Sequence, residues 1–189
     1  MTSRLGNCYH ADMALPQYLP RYTVADYASW PGEWELWSGV AVAMSPSADA
    51  EHQRLVGALY RKLDDALQSS ECRRCLAYFE LDWIVDNTTV LRPDLLVVCD
   101  YRPQKFVEQT PVLVVEVLSE STRQRDLLYK RAVYQQAGVL HYLLVDPKTR
   151  TTELLLLDGG EYQTICSSKI SLQGGCEFEL QLSELFDPL

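Results

Sequence analysis

Unbroken apolar runs and helix-spaced apolar stripes alternate along this chain. Leu95 to Val98 is such a run, and Pro111 to Leu118 is another apart from one carboxylate, as expected of strands buried on both faces. Between residues 48 and 68, Leu55, Val56, Leu59, Leu63, Ala66 and Leu67 recur at helical spacing and predict a long helix with one core-facing stripe. A second helix is expected from about Thr122 to Ala137, stopped by Gly138. Thr23 is placed to cap a short helix over Val24 to Ser29, with Asp26 in the capping-box position and Pro31-Gly32 ending it. Glu33 to Trp37 and Val40 to Met44 flank Ser38-Gly39, a hairpin signal. Thr151 to Leu157 and Glu161 to Cys166 flank Asp158-Gly159-Gly160 in the same way. One strand is expected around Leu76 to Val85, followed by a turn at Asp86-Asn87, and one over His141 to Val145, ended by Asp146-Pro147. Leu180 to Leu189 predicts a short helical turn. Met1 to Pro20 reads as a loosely ordered arm, which leaves residues 21–189 as a single domain. This order of helices and strands predicts a mixed α/β sheet flanked by helices.

Two carboxylates stand where core residues are expected. Asp94 starts its strand directly after Pro93, and Glu116 falls late in the next run. A lone carboxylate on a buried strand is costly unless it is paired or meets a cation. If the two strands pair as an antiparallel hairpin, the start of one lies beside the end of the other, and both acids share one sheet edge. Hard oxygen ligands so arranged suit Mg²⁺ or Mn²⁺. Either acid alone is better explained by backbone donors or an arginine.

Asp126, Lys130, Val133, Tyr134 and Ala137 fall on one stripe of the second helix. The stripe is apolar at its far end, so it packs on the sheet, and Lys130 there needs a carboxylate or a phosphate. An intrahelical Asp126–Lys130 pair, worth roughly a few tenths of a kcal/mol, satisfies the same residues. Both readings hold together if Asp126 faces partly outward. At the start of the first long helix, Glu51 is within reach of the metal edge as a further carboxylate. His52 lies on the stripe of Leu55, Val56 and Leu59, where a packed, hydrogen-bonded histidine is commoner than a ligand.

The formal net charge of -9 changes the picture. It argues against non-specific nucleic-acid binding through basic surface, so any such role depends on a local basic patch and on metal ions. Arg123, Gln124, Arg125 and Arg131 could form that patch, with an ordinary solvated helix face as the alternative. No stretch approaches the ~18 uncharged apolar residues of a membrane helix. Met1 to Pro20 lacks a cationic start followed by an apolar run. A cytoplasmic setting with free thiols at Cys8, Cys72, Cys75, Cys99, Cys166 and Cys176 is therefore expected, Cys99 as a core thiol. Cys72 and Cys75 form one CxxC without a second close pair, so a helix-to-strand loop is expected there rather than zinc.

Arg92-Pro93-Asp94, Glu116-Val117-Leu118-Ser119, Thr122, Arg125-Asp126, Lys130, Tyr134, Gly138-Val139, Tyr142 and Asp146-Pro147 together resemble the Uma family of putative restriction endonucleases. That family belongs to the PD-(D/E)XK nuclease superfamily. Tyr27, the hairpin from Glu35 to Met44, Ser45-Pro46 and His52 are similar to its pattern as well. The resemblance implies a restriction-endonuclease-like sheet with extra N-terminal and C-terminal hairpins. It implies Asp94, Glu116 and the Val117 carbonyl as ligands of Mg²⁺ or Mn²⁺, with Lys130 as the catalytic lysine. The superfamily motif carries its lysine two positions after the acid, where this chain has Leu118, so Lys130 matches the variants with a lysine moved to the neighbouring helix. The implied activity is metal-dependent hydrolysis of DNA phosphodiester bonds by in-line attack of water, with Lys130 adding charge where the phosphate develops it. A homodimer follows if both strands of a duplex are cut, with the tryptophans at 30, 34 and 37 as a guess for its interface.

Three other classes account for less of the pattern. A nuclease fold without activity, serving nucleic-acid binding or assembly, would bind metal weakly and cut nothing. A glycosidase would need a sugar-stacking cleft beside its two acids, and the tryptophan cluster has no evident link to Asp94. A purely structural protein would have to carry two buried acids and a buried lysine as a core ion network, which stabilises little against apolar replacements.

Overall fold

In chain order the elements are α1 (Val24–Tyr27), β1 (Trp34–Trp37), β2 (Val40–Ala43), α2 (Ala50–Ser69), β3 (Cys75–Phe79), β4 (Trp83–Asp86), β5 (Thr89–Leu91), β6 (Leu95–Cys99) and β7 (Leu113–Val117). A π-helical segment (Arg125–Lys130) runs into α3 (Arg131–Gln136), and β8 (His141–Asp146), β9 (Thr151–Asp158), β10 (Glu161–Ile165), β11 (Lys169–Ser171) and β12 (Glu177–Glu179) follow. This computed structural model describes residues 20–44, 49–70, 72–172 and 175–187. The arm expected over Met1 to Pro20 lies, except for Pro20, outside the described residues, as do Ser45 and Pro46.

The main sheet has the order β10-β9-β8-β7-β6-β3. Its neighbours are antiparallel except β7 and β8, which run parallel because the helical segment between them crosses back over the sheet. Side chains alternate in direction along a strand, and that parity sorts the core. Leu95, Val97, Leu113, Val115, Val117, Leu143 and Val145 pack with the α2 stripe of Leu55, Val56, Leu59, Leu63 and Leu67. Leu96, Val98, Val114, Tyr142 and Leu144 pack on the opposite side with Tyr134 and Val139. Glu116 has the parity of the second set, so its side chain points toward the crossover helix. The two hairpins and the capping box at Thr23 form as expected. Gly138 ends α3 at φ +81°, a conformation open to glycine but strained for side-chain-bearing residues.

Two expectations are corrected, and one hairpin is added. The strand anticipated over Leu76 to Val85 breaks after Phe79, and β4 leaves for a second sheet of order β2-β1-β5-β4. The break has a cause in Asp82, which is buried and accepts from the Tyr27 hydroxyl (2.7 Å) and Arg92 Nε (2.6 Å), drawing the chain off the main sheet. The helix expected over Thr122 to Ala137 is π-helical in its first half, where the Arg131 N–H reaches back to the Asp126 carbonyl. Lys169–Ser171 and Glu177–Glu179 form a separate hairpin that the pattern did not reveal, and the tail makes a turn over Ser183–Phe186.

The free-thiol expectation is also overturned. Cys72 pairs with Cys176, and Cys75 pairs with Cys99, directly opposite it on the neighbouring strand. Among the described residues Cys166 is free and exposed, and Cys8 lies outside them. The first bridge spans 104 residues and ties the β11–β12 hairpin to the end of α2. Reduction is expected to lower stability by about 2–5 kcal/mol, read as a fall in Tm with dithiothreitol. An unchanged Tm, with every thiol titratable in the native protein, would contradict both bridges.

Candidate functional site

Pro93 has no N–H to give to β7, and the recorded β6–β7 pairing ends at Leu95 opposite Val115. Past that point the Asp94 side chain takes the place of a backbone partner, with Oδ2 accepting from the Val117 N–H at 2.7 Å. The same oxygen lies 3.3 Å from His52 Nε2 on α2. Burial draws the His52 pKa down, but Asp94, Asp49 and the Val117 backbone outweigh it and leave it raised. Extending the β6–β7 register by one step puts Asp94 opposite Glu116, so the two acids meet at one end of the sheet.

Glu116 is buried on the crossover side. Its Oε1 accepts from the Tyr134 hydroxyl at 2.6 Å and from Lys130 Nζ at 3.0 Å. Lys130 also donates to the Arg92 carbonyl (3.2 Å) and lies 3.4 Å from Glu35 Oε1 and 3.6 Å from Asp126 Oδ1. Burial raises the Glu116 pKa well above the carboxylate range, with Asp126 and Asp94 adding to the effect against Lys130 and Tyr134. Burial opposes the Lys130 charge, yet Glu116, Glu35, Asp126 and Asp94 together hold its pKa well above the usual lysine value. Four acids thus act on one ammonium, an excess of negative charge that favours a further proton or a further cation.

Among the expected residues, Asp94, Glu116, Val117, Lys130, Asp126, Tyr134 and His52 converge. Asp126 does not face partly outward, the condition under which the two readings of Lys130 would hold together: it is 1% exposed, and its Oδ1 is buried without a hydrogen-bond partner. Glu51 is not in the cluster, because its exposed carboxylate is held by Arg54 at 2.8 and 2.9 Å. Arg123 donates to Asp146 (2.8 Å), Arg125 lies over the Trp37 ring, and Gln124 is exposed at the start of the π-helical segment. Trp30 and Trp34 pack with Tyr27 and Phe106 in a separate aromatic cluster.

Glu35 escaped the sequence reading. It is buried, accepts from the Arg92 N–H (2.7 Å) and the Trp37 indole N–H (3.0 Å), and faces Lys130. The available signal was the one that marked Glu116, a carboxylate inside a short run of large apolar residues. Arg92, in the sequence only a part of the Arg92-Pro93-Asp94 motif, has a place here too. Its main chain holds Glu35 and Lys130, while its guanidinium is clamped by Asp82 and Glu33.

The residues fit a hard divalent cation. The recorded contacts of Asp94 fall on Oδ2 and those of Glu116 on Oε1, which leaves a second oxygen on each. The Val117 backbone meets His52, whose pKa it helps to raise, so its carbonyl is the further oxygen at this edge. Among the described residues no three His, Cys, Asp or Glu side chains form a ready-made metal cage. Mg²⁺ does not need one, since it commonly takes one or two carboxylates and keeps several waters.

Residues 24–182 match the Uma2 family, described as "Putative restriction endonuclease". No curated protein matches the chain. A solved protein from Anabaena variabilis ATCC 29413, described as "a putative nuclease belonging to DUF820", superposes with a TM-score of 0.67 at 15% identity. The match covers 87% of this chain and 97% of that one, so the two share a fold.

Proposed function

Because the chain belongs to the Uma2 family of restriction-endonuclease-like proteins, we propose that it is a metal-dependent nuclease that hydrolyses DNA phosphodiester bonds at the Asp94–Glu116 edge. The observation that carries this reading is the pair of sheet-edge carboxylates with one oxygen each uncommitted, beside a buried lysine outnumbered by acids. Asp94, Glu116 and the Val117 carbonyl would hold Mg²⁺ or Mn²⁺. The bound cation would supply Lewis-acid polarisation of the phosphate and a water of lowered pKa.

The chain's own groups prepare the site. The Val117 N–H and His52 fix the orientation of Asp94, and the Tyr134 hydroxyl and Lys130 fix that of Glu116. Preset orientation removes the cost of reorganising these groups during reaction. Lys130 places a held positive charge beside the carboxylates, where a phosphate gaining negative charge would lie. Cutting both strands of a duplex takes two such centres, which a C2 homodimer supplies. Among the described residues no helix is long and apolar enough to cross a membrane.

A second reading has one observation in its favour. Lys130 is already committed to three acids and a carbonyl, which suits a nuclease fold retained for binding or assembly without cutting. Incubating supercoiled and single-stranded DNA with the protein, in Mg²⁺ or Mn²⁺ and in EDTA, decides between them. Cation-dependent nicking is expected. Intact DNA under every condition, with metal binding demonstrated, would replace the hydrolase by the silent module.

A further inference from the structure

The strand alternation that points Glu35 inward also places Trp37 on the same face of β1, toward the π-helical segment. There the Trp37 ring stacks on Tyr129, with centroids 4.3 Å apart and planes 16° from parallel. Arg125 Cζ lies 5.7 Å from the Trp37 ring centre, and the Ser38 hydroxyl contacts the Tyr129 hydroxyl at 3.3 Å. Both rings are half-buried, and Leu128 beside them is 70% exposed. The stack adjoins the candidate centre: the Trp37 indole N–H donates to Glu35, which faces Lys130, and Tyr129 is the residue before Lys130.

A chain of net charge -9 gains little from phosphate neutralisation. Stacking of bases on aromatic rings does not depend on net charge, and it is open only to bases that are unpaired. We propose that Trp37, Tyr129 and Arg125 form a stacking platform for an unpaired base, so that the preferred ligand of this site is single-stranded or locally unpaired nucleic acid. The proposal rests on the nuclease reading for its substrate class and sharpens it. One protomer suffices for a single strand, without a second centre.

Binding in EDTA separates the proposal from catalysis. The probes are a fluorescein-labelled 12-nucleotide deoxythymidine oligomer and a blunt 12-base-pair duplex carrying the same label, read by fluorescence anisotropy. The wild type is expected to bind the single strand at least about tenfold tighter than the duplex. Trp37→Leu and Tyr129→Leu should each weaken single-strand binding by about tenfold and leave duplex binding little changed. Trp37→Phe keeps a ring without the indole N–H and should retain most of the affinity, which separates stacking from the Glu35 contact and guards against a variant that fails to fold. Equal affinity for the two probes, or full single-strand affinity in the folded leucine variants, overturns the proposal even if DNA is cut. Stack-dependent binding without cutting in Mg²⁺ upholds it and removes the hydrolase reading. Absence of binding to either probe overturns the proposal, and the nuclease reading is then decided by the cleavage assay in Mg²⁺ or Mn²⁺ alone.

Discussion

Glu116→Gln is expected to lower cation-dependent DNA cleavage by about 10²–10³-fold or more while the protein stays folded. The amide keeps the volume of the carboxylate, and its carbonyl oxygen can still accept from the Tyr134 hydroxyl that now meets Oε1 at 2.6 Å. Lys130 keeps Glu35 and Asp126 as partners, so no buried charge is stranded. What disappears is one of the two carboxylates proposed to hold the cation. The loss should appear as a fall in kcat with weaker Mn²⁺ binding by calorimetry and little change in Tm. Asp94→Asn should behave alike, since its amide can still accept from the Val117 N–H. Full activity in either variant would remove the site.

The strands were legible because burial on both faces leaves an unmistakable apolar run, and Asp94 and Glu116 were legible as exceptions to it. The partners of those acids were harder to read. Glu35 sits in a four-residue strand whose two faces serve different clusters, Trp34 and Leu36 toward one and Glu35 and Trp37 toward the other. A single turn of alternation is too short to say which face meets the site. Asp82 illustrates the opposite failure. The apolar alternation runs through it from Leu76 to Val85, and only the long-range pair with Arg92 and Tyr27 shows why the strand breaks there. The stripe carrying Asp126, Lys130 and Tyr134 was read correctly, but not how deep Asp126 lies. The π-helical geometry of Arg125–Lys130 has no signature in the spacing of apolar residues. The cysteine pairs were missed for a further reason. Compartment arguments describe where disulfides persist, whereas Cys75 and Cys99 are brought together by strand register alone.

Lys130→Met should separate the structural role of the lysine from its chemical one. Methionine has similar length, so the cavity contribution is small and the main loss is the charge. Glu116, Glu35 and Asp126 then share a buried site without an ammonium, and removing one partner of such a cluster costs about 3–5 kcal/mol. That destabilisation is expected in EDTA as a large fall in Tm. The proposed divalent cation would bind the folded state and supply the missing positive charge, so the Tm rise on adding Mg²⁺ or Mn²⁺ should be larger in the variant than in the wild type. Cleavage should nevertheless stay low, because a cation held by Asp94 and Glu116 does not replace a charge fixed on the neighbouring helix. The expected pattern is therefore rescued stability, retained metal binding and lost turnover. Turnover restored along with stability would make Lys130 a counter-ion to the acids and nothing more. The same recovery would trace the chemistry to the carboxylates and the cation alone.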